Sequence, residues 1–316
     1  MPNRVSAPAR ARLTSSAPRS PRRARPFDGP VPILIAALLW GTTGTAGSLA
    51  PGGAPAAGIG AFALVLGGSL LLLTDRAAWS LPRRCGAGER WLLAAGAVAV
   101  VGYPLTFYPA VARAGVAVST VIALGSAPVF TGLLGLLARQ GWPGGRWAGA
   151  TVLAVLGCGV LVLAPELAGD GRPVDLLGVL LAALSGLSYA VYSLIAGRLI
   201  AAGRPSGGVM GAMFGAAAVL VLPVLALEPV DWLLTVRGAG VVLHLGVITT
   251  FLAYRLFGHG LRHTSAQTAT TLTLAEPAVA AVLGVAALGE RLPALSWCGL
   301  AVLAAGLAFL ALPGRK

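Results

Sequence analysis

The stretch that decides the fold is residues 261–313, LRHTSAQTATTLTLAEPAVAAVLGVAALGERLPALSWCGLAVLAAGLAFLALP. It repeats residues 112–164 without a gap at an offset of 149 residues, and the same offset places Trp40-Gly41 on Tyr189-Ala190. Identical residues at matched positions include Arg113 and Arg262, Ala117 and Ala266, Pro128 and Pro277, Leu134 and Leu283, Gly135 and Gly284, Gly157 and Gly306, and Leu161 and Leu310. Both copies are built from apolar stretches about 20 residues long, enough to cross a bilayer. An internally repeated chain of such stretches is typical of secondary transporters, so the repeat indicates function as well as fold.

The composition argues against a soluble globular protein. The chain has 316 residues, of which 57% are hydrophobic and only 10% are charged, whereas soluble domains carry about 25% charged residues. Its 44 glycines fit closely packed membrane helices. Three cysteines (Cys85, Cys158 and Cys298) stand far apart, which predicts neither a disulfide framework nor a metal site. No phosphate-binding loop, HExxH helix or GxSxG elbow occurs, so we expect no cofactor.

The apolar stretches predict an all-α polytopic membrane protein with ten transmembrane helices. We place these helices at residues 31–50, 54–74, 91–111, 115–138, 145–164, 176–200, 207–227, 236–257, 264–287 and 293–312. They form a first five-helix repeat at 31–164 and a second at 176–312, joined by an acidic extracytoplasmic linker at 165–175. Residues 1–30, rich in Arg, Pro, Ser and Ala, are predicted to be a disordered basic cytoplasmic tail. The tail and the apolar run after it also resemble a signal peptide, but the repeat requires the first helix to remain.

Basic residues are divided unevenly between the two sides of the predicted membrane. With the amino terminus in the cytoplasm, 19 of the 23 Lys and Arg residues fall on the cytoplasmic side, and seven of these lie in the tail. Basic loops mark that side, so we predict a multi-pass protein of the cytoplasmic (inner) membrane with both termini inside. The same distribution explains the net charge of +13 without a nucleic acid partner. Because five is an odd number of helices, the second repeat enters from the opposite side and the repeats are inverted.

Three segments carry a resemblance to a known family. They are Leu39-Trp40-Gly41 in the first helix, Ser188 to Tyr192 (SYAVY), and Thr264 to Leu292 (TSAQTATTLTLAEPAVAAVLGVAALGERL). The last segment combines small residues, a mid-helix proline and a closing Gly-Glu-Arg-Leu. Over residues 31–312 the chain resembles the EamA-type members of the drug/metabolite transporter superfamily. The resemblance implies a ten-helix inner-membrane carrier of small metabolites, often an exporter.

Glu276 is the first candidate for a functional group. It lies about 12 residues into helix 9, which at about 1.5 Å per residue is close to the midplane of the bilayer. An ionisable side chain at that depth is costly and points to function by default. Because burial disfavours the charged form, this carboxyl could take up and release a proton. The alternative is a structural carboxyl hydrogen-bonded to a neighbouring helix; the matching residue of the first repeat is Ala127, so the scaffold does not require an acid here.

Pro128 and Pro277 occupy equivalent mid-helix positions in the two repeats. Each lacks a backbone N–H and is expected to free the carbonyl four residues back, on Leu124 and Thr273. A free carbonyl in lipid needs a partner or lines a cavity. We therefore predict a paired kink that shapes the site or acts as a hinge, and the alternative is a packing kink without motion.

Five further side chains are candidates for contact with a substrate, and Tyr103 and Tyr108 in helix 3 are weaker ones. Trp40, Tyr189 and Tyr192 lie near the middle of helices 1 and 6, where they could stack on an organic molecule or pack in the core. Thr273 belongs to a threonine-rich stretch that could bind substrate or bond to neighbouring helices. His244 in helix 8 could partner the carboxyl of helix 9 or be an ordinary core residue.

The sequence thus predicts a secondary transporter that moves a small organic metabolite by alternating access. We predict export, with proton exchange as the coupling reaction, and leave open an importer of the same class or a flippase of a lipid-linked substrate. A membrane enzyme would need several acids or histidines at membrane depth, and only one of each is found there, so no catalysis is expected. The predicted partners are a small-molecule substrate, the lipid bilayer and a proton, with a homodimer left open and no metal expected.

Overall fold

A computed structural model describes residues 28–139, 141–167, 175–289 and 291–312. Within these ranges all regular structure is helical, and ten helices are long and apolar enough to cross a membrane. We call them spans 1 to 10, in chain order Pro30–Ser48, Ala56–Thr74, Ala87–Ala114, Val116–Leu137, Gly145–Ala164, Leu176–Ala201, Ser206–Leu225, Val236–Gly260, Ala266–Leu288 and Ala294–Ala311. The predicted ten-helix architecture is confirmed, and no predicted bound differs by more than four residues. Residues 1–27 of the predicted tail and residues 168–174 of the predicted linker lie outside the described residues.

The spans run alternately in opposite directions, so the molecule has two faces. The terminal face carries the start of span 1 and the end of span 10; the opposite face carries the end of span 1 and the start of span 10. Contacts across the bundle agree with this alternation, because the Arg146 guanidinium at the start of span 5 donates to the carbonyl of Phe309 at the end of span 10. Five spans in each half invert the second repeat relative to the first.

Spans or residues at equivalent positions in the two repeats are called repeat mates below. Spans 5 and 10 are repeat mates, and each packs against the other through a glycine. A Cβ atom added at Gly157 would lie 2.8 Å from the Leu303 Cα, and one added at Gly306 would lie 2.9 Å from the Ala154 nitrogen. Ala154 and Leu303 are themselves separated by 149 residues, so the two contacts are images of each other. This reciprocity places a pseudo-two-fold axis between spans 5 and 10, and the missing side chains let the two backbones approach closely.

Spans 2 and 7 are also repeat mates, and they too meet through small residues. A Cβ atom added at Gly211 would lie 2.6 Å from the Leu71 carbonyl oxygen, and one added at Gly68 would crowd the Phe214 carbonyl. Spans 4 and 9 are joined by a hydrogen bond between the hydroxyls of Thr131 and Thr270 at 2.9 Å. Three pairs of matching spans, 2 with 7, 4 with 9 and 5 with 10, therefore meet at the pseudo-two-fold axis.

Three of the spans are irregular near their middle. Span 1 turns at Thr42, span 9 breaks at Thr273 and Leu274, and span 8 contains a π-helical segment at His244–Leu252. π-Helical segments inside α-helices are frequent at functional sites because they shift which side chains face inward. The three irregular regions lie in spans that face the centre of the molecule.

A short helix occupies part of the connection between spans 2 and 3. Arg76–Arg84 is capped by Asp75, whose carboxylate accepts from the Ala77 N–H at 2.8 Å. Ala78 and Leu81 are buried, and the helix packs on span 7. The sequence predicted only a basic connection here, because nine residues carry too few apolar positions to stand out beside the long spans.

Candidate functional site

A cavity of about 240 Å³ lies at the centre of the molecule. Aromatic residues form the largest group in its lining, beside aliphatic residues, several threonines and one acid among the described residues. The aromatic residues are Trp40, Tyr103, Phe107, Tyr108, Tyr189, Tyr192, Phe214 and Tyr254; the threonines are Thr43, Thr120, Thr249 and Thr250; the acid is Glu276. The cavity thus contains four of the residues predicted from the sequence, namely Trp40, Tyr189, Tyr192 and Glu276.

Packed aromatic rings close the cavity on the side of the terminal face. Trp40, Tyr189, Tyr192 and Phe214 are buried, and Phe257, which packs under Trp40 at 5.6 Å between ring centroids, has no exposed surface. The lining residues nearer the opposite face, among them Thr43, Tyr108 and Thr120, are half-buried or exposed. The structure therefore shows a cavity that is closed toward the terminal face.

The repeat mates Trp40 and Tyr189 meet at the floor of this cavity. Their ring centroids are 6.5 Å apart and their planes are nearly perpendicular. The Trp40 indole N–H donates to the Thr249 carbonyl at 2.7 Å, inside the π-helical segment of span 8, and the Tyr189 hydroxyl bonds to the Thr273 hydroxyl at 2.8 Å. Both rings are thus held at their polar ends, which fixes their positions in the cavity lining. The pseudo-two-fold axis passes through this floor.

Glu276 stands directly after the break in span 9. It is the second residue of the helical piece Ala275–Leu288, and it lines the cavity with its side chain half-buried. In the part of the chain that the structure describes, its carboxylate has no hydrogen-bond or ion-pair partner. A Cβ atom added at Gly41 would lie 3.0 Å from the Glu276 carbonyl oxygen, so the glycine after Trp40 lets span 1 approach this turn closely. The alternative role considered for Glu276 was a structural carboxyl hydrogen-bonded to a neighbouring helix, and within the described residues its side chain makes no such bond.

The two prolines do not form the symmetric pair that the sequence predicted. Pro277 lies in the first turn of Ala275–Leu288, a position where a proline costs no helical hydrogen bond. The Thr273 carbonyl is not free, because it accepts from the Glu276 N–H at 3.0 Å. Pro128 lies inside the uninterrupted helix Val116–Leu137 and is buried. Only the second repeat is broken at this position, and a hinge role for either proline stays a prediction.

The threonines of span 9 mainly tie it to its neighbours. Thr270 bonds to Thr131 of span 4, and Thr271 bonds to Thr151 of span 5 at 2.8 Å between hydroxyl oxygens. Thr273 bonds to the tyrosine at the cavity floor and does not itself line the cavity. These threonines were expected either to bind substrate or to bond to neighbouring helices, and the structure shows the bonds between helices. Thr273 is connected to the cavity by its hydrogen bond to Tyr189.

His244 does not partner Glu276. Its Nε2 lies 2.8 Å from the Thr42 hydroxyl, and its half-buried ring lines a second cavity of about 720 Å³ near the opposite face. Arg237 and Thr45 also line this second cavity. The expected partnership fails because His244 begins the π-helical segment of span 8 and faces the turn in span 1.

The sequence of the chain matches one family description in both of its halves. The model of the EamA-like transporter family covers residues 29–163 and again residues 176–312. The chain belongs to the EamA-like transporter family. It is therefore a multi-pass membrane transporter of the EamA type, as the resemblance implied, and the family match confirms that the architecture has two repeated halves.

Relatives of this EamA-family chain carry transporter names. It is 39% identical over 285 residues to the uncharacterized transporter YwfM of Bacillus subtilis, covering 90% of this chain and 94% of that protein. It is 32% identical over 294 residues to the threonine/homoserine exporter RhtA of Escherichia coli, covering 90% and 92%. A crystal structure 22% identical in sequence matches 89% of this chain and 95% of its own with a TM-score of 0.73, which shows the same fold.

Several cavity residues of this EamA-family chain were not predicted as candidates. Phe214 and Tyr254, whose ring centroids are 4.1 Å apart, come from spans 7 and 8. Nothing in the sequence marked Phe214, because span 7 is apolar around nearly its whole circumference. Tyr254 stands beside Arg255 near the end of span 8, where the sequence offered no reason to single it out. Tyr103 and Tyr108 of span 3, in contrast, were weaker candidates from the sequence, as polar aromatics within an apolar stretch, and both line the cavity. A spacing of five residues does not repeat on one helix face, so only the packed structure places both at the cavity.

Proposed function

We propose that this protein is a secondary transporter that exports a small organic metabolite across the cytoplasmic membrane by alternating access. The observation that carries the proposal is the central cavity at the pseudo-two-fold axis, closed toward the terminal face by packed rings. In inverted-repeat transporters the substrate site lies near the midplane between the repeats. The exporter name of the relative RhtA supports the outward direction and a small polar metabolite as substrate.

In alternating access the cavity would open toward the terminal face as it closes toward the opposite face. Because the repeats are inverted, a state open to the terminal face is obtained when each half takes up the conformation of the other. The glycine contacts between spans 2 and 7 and between spans 5 and 10 lie at the symmetry axis, where one half can rock against the other without large side chains to displace.

A lone carboxylate supports proton coupling. Among the described residues that line the cavity, Glu276 is the sole carboxylate, and no Lys, Arg or His joins it. A carboxyl in such a place can bind a proton from one side and release it to the other. Inward movement of protons would then drive the substrate outward, so export by the wild type should weaken as the external medium is made more alkaline.

We also propose that both termini lie in the cytoplasm, so that the cavity is accessible from outside in the state described. The excess of basic residues on the terminal face supports this orientation. A fluorescent protein fused to the carboxyl terminus should fold and fluoresce, and alkaline phosphatase fused there should be inactive. Active phosphatase at that terminus would reverse the orientation.

The test of transport compares metabolites outside and inside cells. The strains are a deletion and strains that produce wild type, Glu276→Gln or Glu228→Gln. Glu228 is a matched control, because this half-buried acid near the opposite face does not line the central cavity. We expect one compound to accumulate outside with the wild type and Glu228→Gln, and not with Glu276→Gln.

Each other outcome has a defined meaning. Full, still pH-dependent export by Glu276→Gln would refute coupling through this carboxyl. A rise in an intracellular pool without change outside would favour an importer. No change in soluble metabolites would favour a flippase, for which the second cavity, with Arg237 and hydroxyl groups beside apolar residues, offers room for an amphiphile.

A further inference from the structure

We propose that the central cavity selects its substrate by a protonated amine, which binds at the Glu276 carboxylate between aromatic ring faces, and that a carboxylate on the substrate is dispensable. This inference rests on the proposed transport function and names the substrate class of the same cavity. It predicts that the transported molecule carries an amine, and that an organic acid without an amine is not transported.

The charge of the cavity lining is the first argument. Among the described lining residues there is one acid, Glu276, and no Lys, Arg or His. Basic groups lie elsewhere: Arg237 and His244 line the second cavity, and Arg255 reaches Thr74 and the Phe251 ring near the terminal face. An organic anion would therefore find no positive group to neutralise it in a site of low dielectric. An ammonium group would form an ion pair with the Glu276 carboxylate.

The carboxylate is also free to take such a partner. Three of the tyrosine hydroxyls are already occupied: that of Tyr189 is bonded to Thr273, and those of Tyr192 and Tyr254 are bonded to each other at 2.9 Å. In the described part of the chain nothing donates a hydrogen bond to the Glu276 side chain. An ammonium group supplies three N–H donors, which matches an acceptor that has no donor.

The aromatic rings are the second argument. Trp40 and Tyr254 lie 4.9 Å apart between centroids, and Tyr189 and Tyr192 lie 5.2 Å apart, so several ring planes border one small volume. Electron-rich ring faces attract cations within about 6 Å, with tryptophan the strongest, and they repel anions. The indole N–H of Trp40 and the hydroxyls of Tyr189, Tyr192 and Tyr254 are bonded within the protein, so what these residues offer at the cavity is ring carbon.

The remaining groups fit the rest of a small molecule. The hydroxyls of Thr43, Thr120, Thr250, Tyr103 and Tyr108 line the cavity and make no hydrogen bond within the described residues. They are neutral donors and acceptors, so they can bind a hydroxyl or a carboxyl oxygen without requiring either. The volume of about 240 Å³ is below the range of about 300–1,000 Å³ typical of drug-sized ligands. The cargo is therefore a small amine or amino acid.

The experiment uses two matched sets of three compounds on the purified full-length protein at pH 7. One set is leucine, 3-methylbutylamine and 4-methylpentanoate, and the other is phenylalanine, phenethylamine and 3-phenylpropanoate. Within each set the body is nearly constant while the ammonium or the carboxylate is removed. Binding is measured by thermal stabilisation and by competition with export of the metabolite identified above.

We expect at least one amine to bind, with the corresponding acid at least tenfold weaker. Glu276→Gln should weaken amine binding at least tenfold, Glu276→Asp should retain part of it, and Glu228→Gln should leave it unchanged. Size-exclusion profiles show which variants are folded, and Glu276→Asp keeps the test valid if Glu276→Gln is not. Equal binding of acid and amine, amine binding that does not depend on Glu276, or no binding by any amine would overturn the inference.

Failure of this inference is distinguishable from failure of the proposed function. If the exported metabolite has no amine, the transporter stands and the amine site is refuted. If no compound is moved by the wild type and no amine binds, both are refuted.

Discussion

Replacing Gly157 with alanine should destabilise the contact between spans 5 and 10 that defines the pseudo-two-fold axis. The new Cβ would lie 2.8 Å from the Gly299 carbonyl oxygen and nearer still to the Leu303 nitrogen. Ordinary contacts require about 3.5 Å, so the helices must separate by about 0.7 Å or more. Both obstacles are backbone atoms, which cannot rotate away as a side chain can. Overpacking of this kind costs about 1–3 kcal/mol.

Gly159→Ala is the matched control on the same span. A Cβ at Gly159 would meet no atom within 4 Å, while both substitutions gain the same helix propensity of up to about 1 kcal/mol. The difference in unfolding free energy between the two variants therefore isolates the contact, and we expect about 1–3 kcal/mol. Gly306→Ala, whose new Cβ would lie 2.9 Å from the Ala154 nitrogen, should be destabilised in the same direction.

The assay is equilibrium unfolding of the purified protein in mixed micelles, followed by circular dichroism. Gly157→Ala and Gly306→Ala should both unfold at lower denaturant than Gly159→Ala. Equal stability of Gly157→Ala and Gly159→Ala would refute the close approach of the two spans. Destabilisation by one member of the pair Gly157 and Gly306 and not by the other would refute the reciprocity of the contact.

Two further predictions concern hydrogen bonds at the ends of spans and at the cavity floor. In a double-mutant cycle, Tyr189→Phe and Thr273→Val should show a coupling in unfolding free energy of about 0.6 kcal/mol, with about 1.7 kcal/mol as the upper limit for such bonds. A coupling of zero would show that the hydrogen bond between these two hydroxyls, at 2.8 Å, contributes nothing to stability. The Gly178 N–H, followed by Arg113, holds the pKa of Asp175 below its usual range. Stability from Asp175 is therefore present above its unfolded pKa of about 3.9 and is lost as the pH falls through the lower folded value. Asp175→Asn should lower the melting temperature at pH 7 and remove this acid-dependent part; an unchanged profile of melting temperature against pH would contradict it.

The site residues show where sequence reasoning reached its limit. Glu276 was found because an acid in a long apolar stretch is conspicuous, and the midplane position followed from counting along a helix. Trp40 and Tyr189 were found through the repeat. The break in span 9 was not predicted. From the sequence Pro277 was expected to kink a continuous helix, whereas in the structure the helix is interrupted before it and the Thr273 carbonyl accepts a hydrogen bond from the Glu276 N–H.

The sequence by itself determined ten spans, two inverted halves and the unevenness of charge between the faces. In the hydrocarbon core each span must satisfy its backbone hydrogen bonds internally, which requires a helix of about 20 apolar residues. Length and hydropathy are therefore sufficient to identify the spans. Only the tertiary structure decided which side chains share the cavity. Each span is apolar on nearly all sides, so no hydrophobic periodicity marks its inner face. The packing of the spans, close at several glycines, places in one cavity lining Phe214 of span 7, Tyr254 just after the π-helical segment of span 8, and Glu276 after the break in span 9. His244 contacts Thr42 and does not line this cavity.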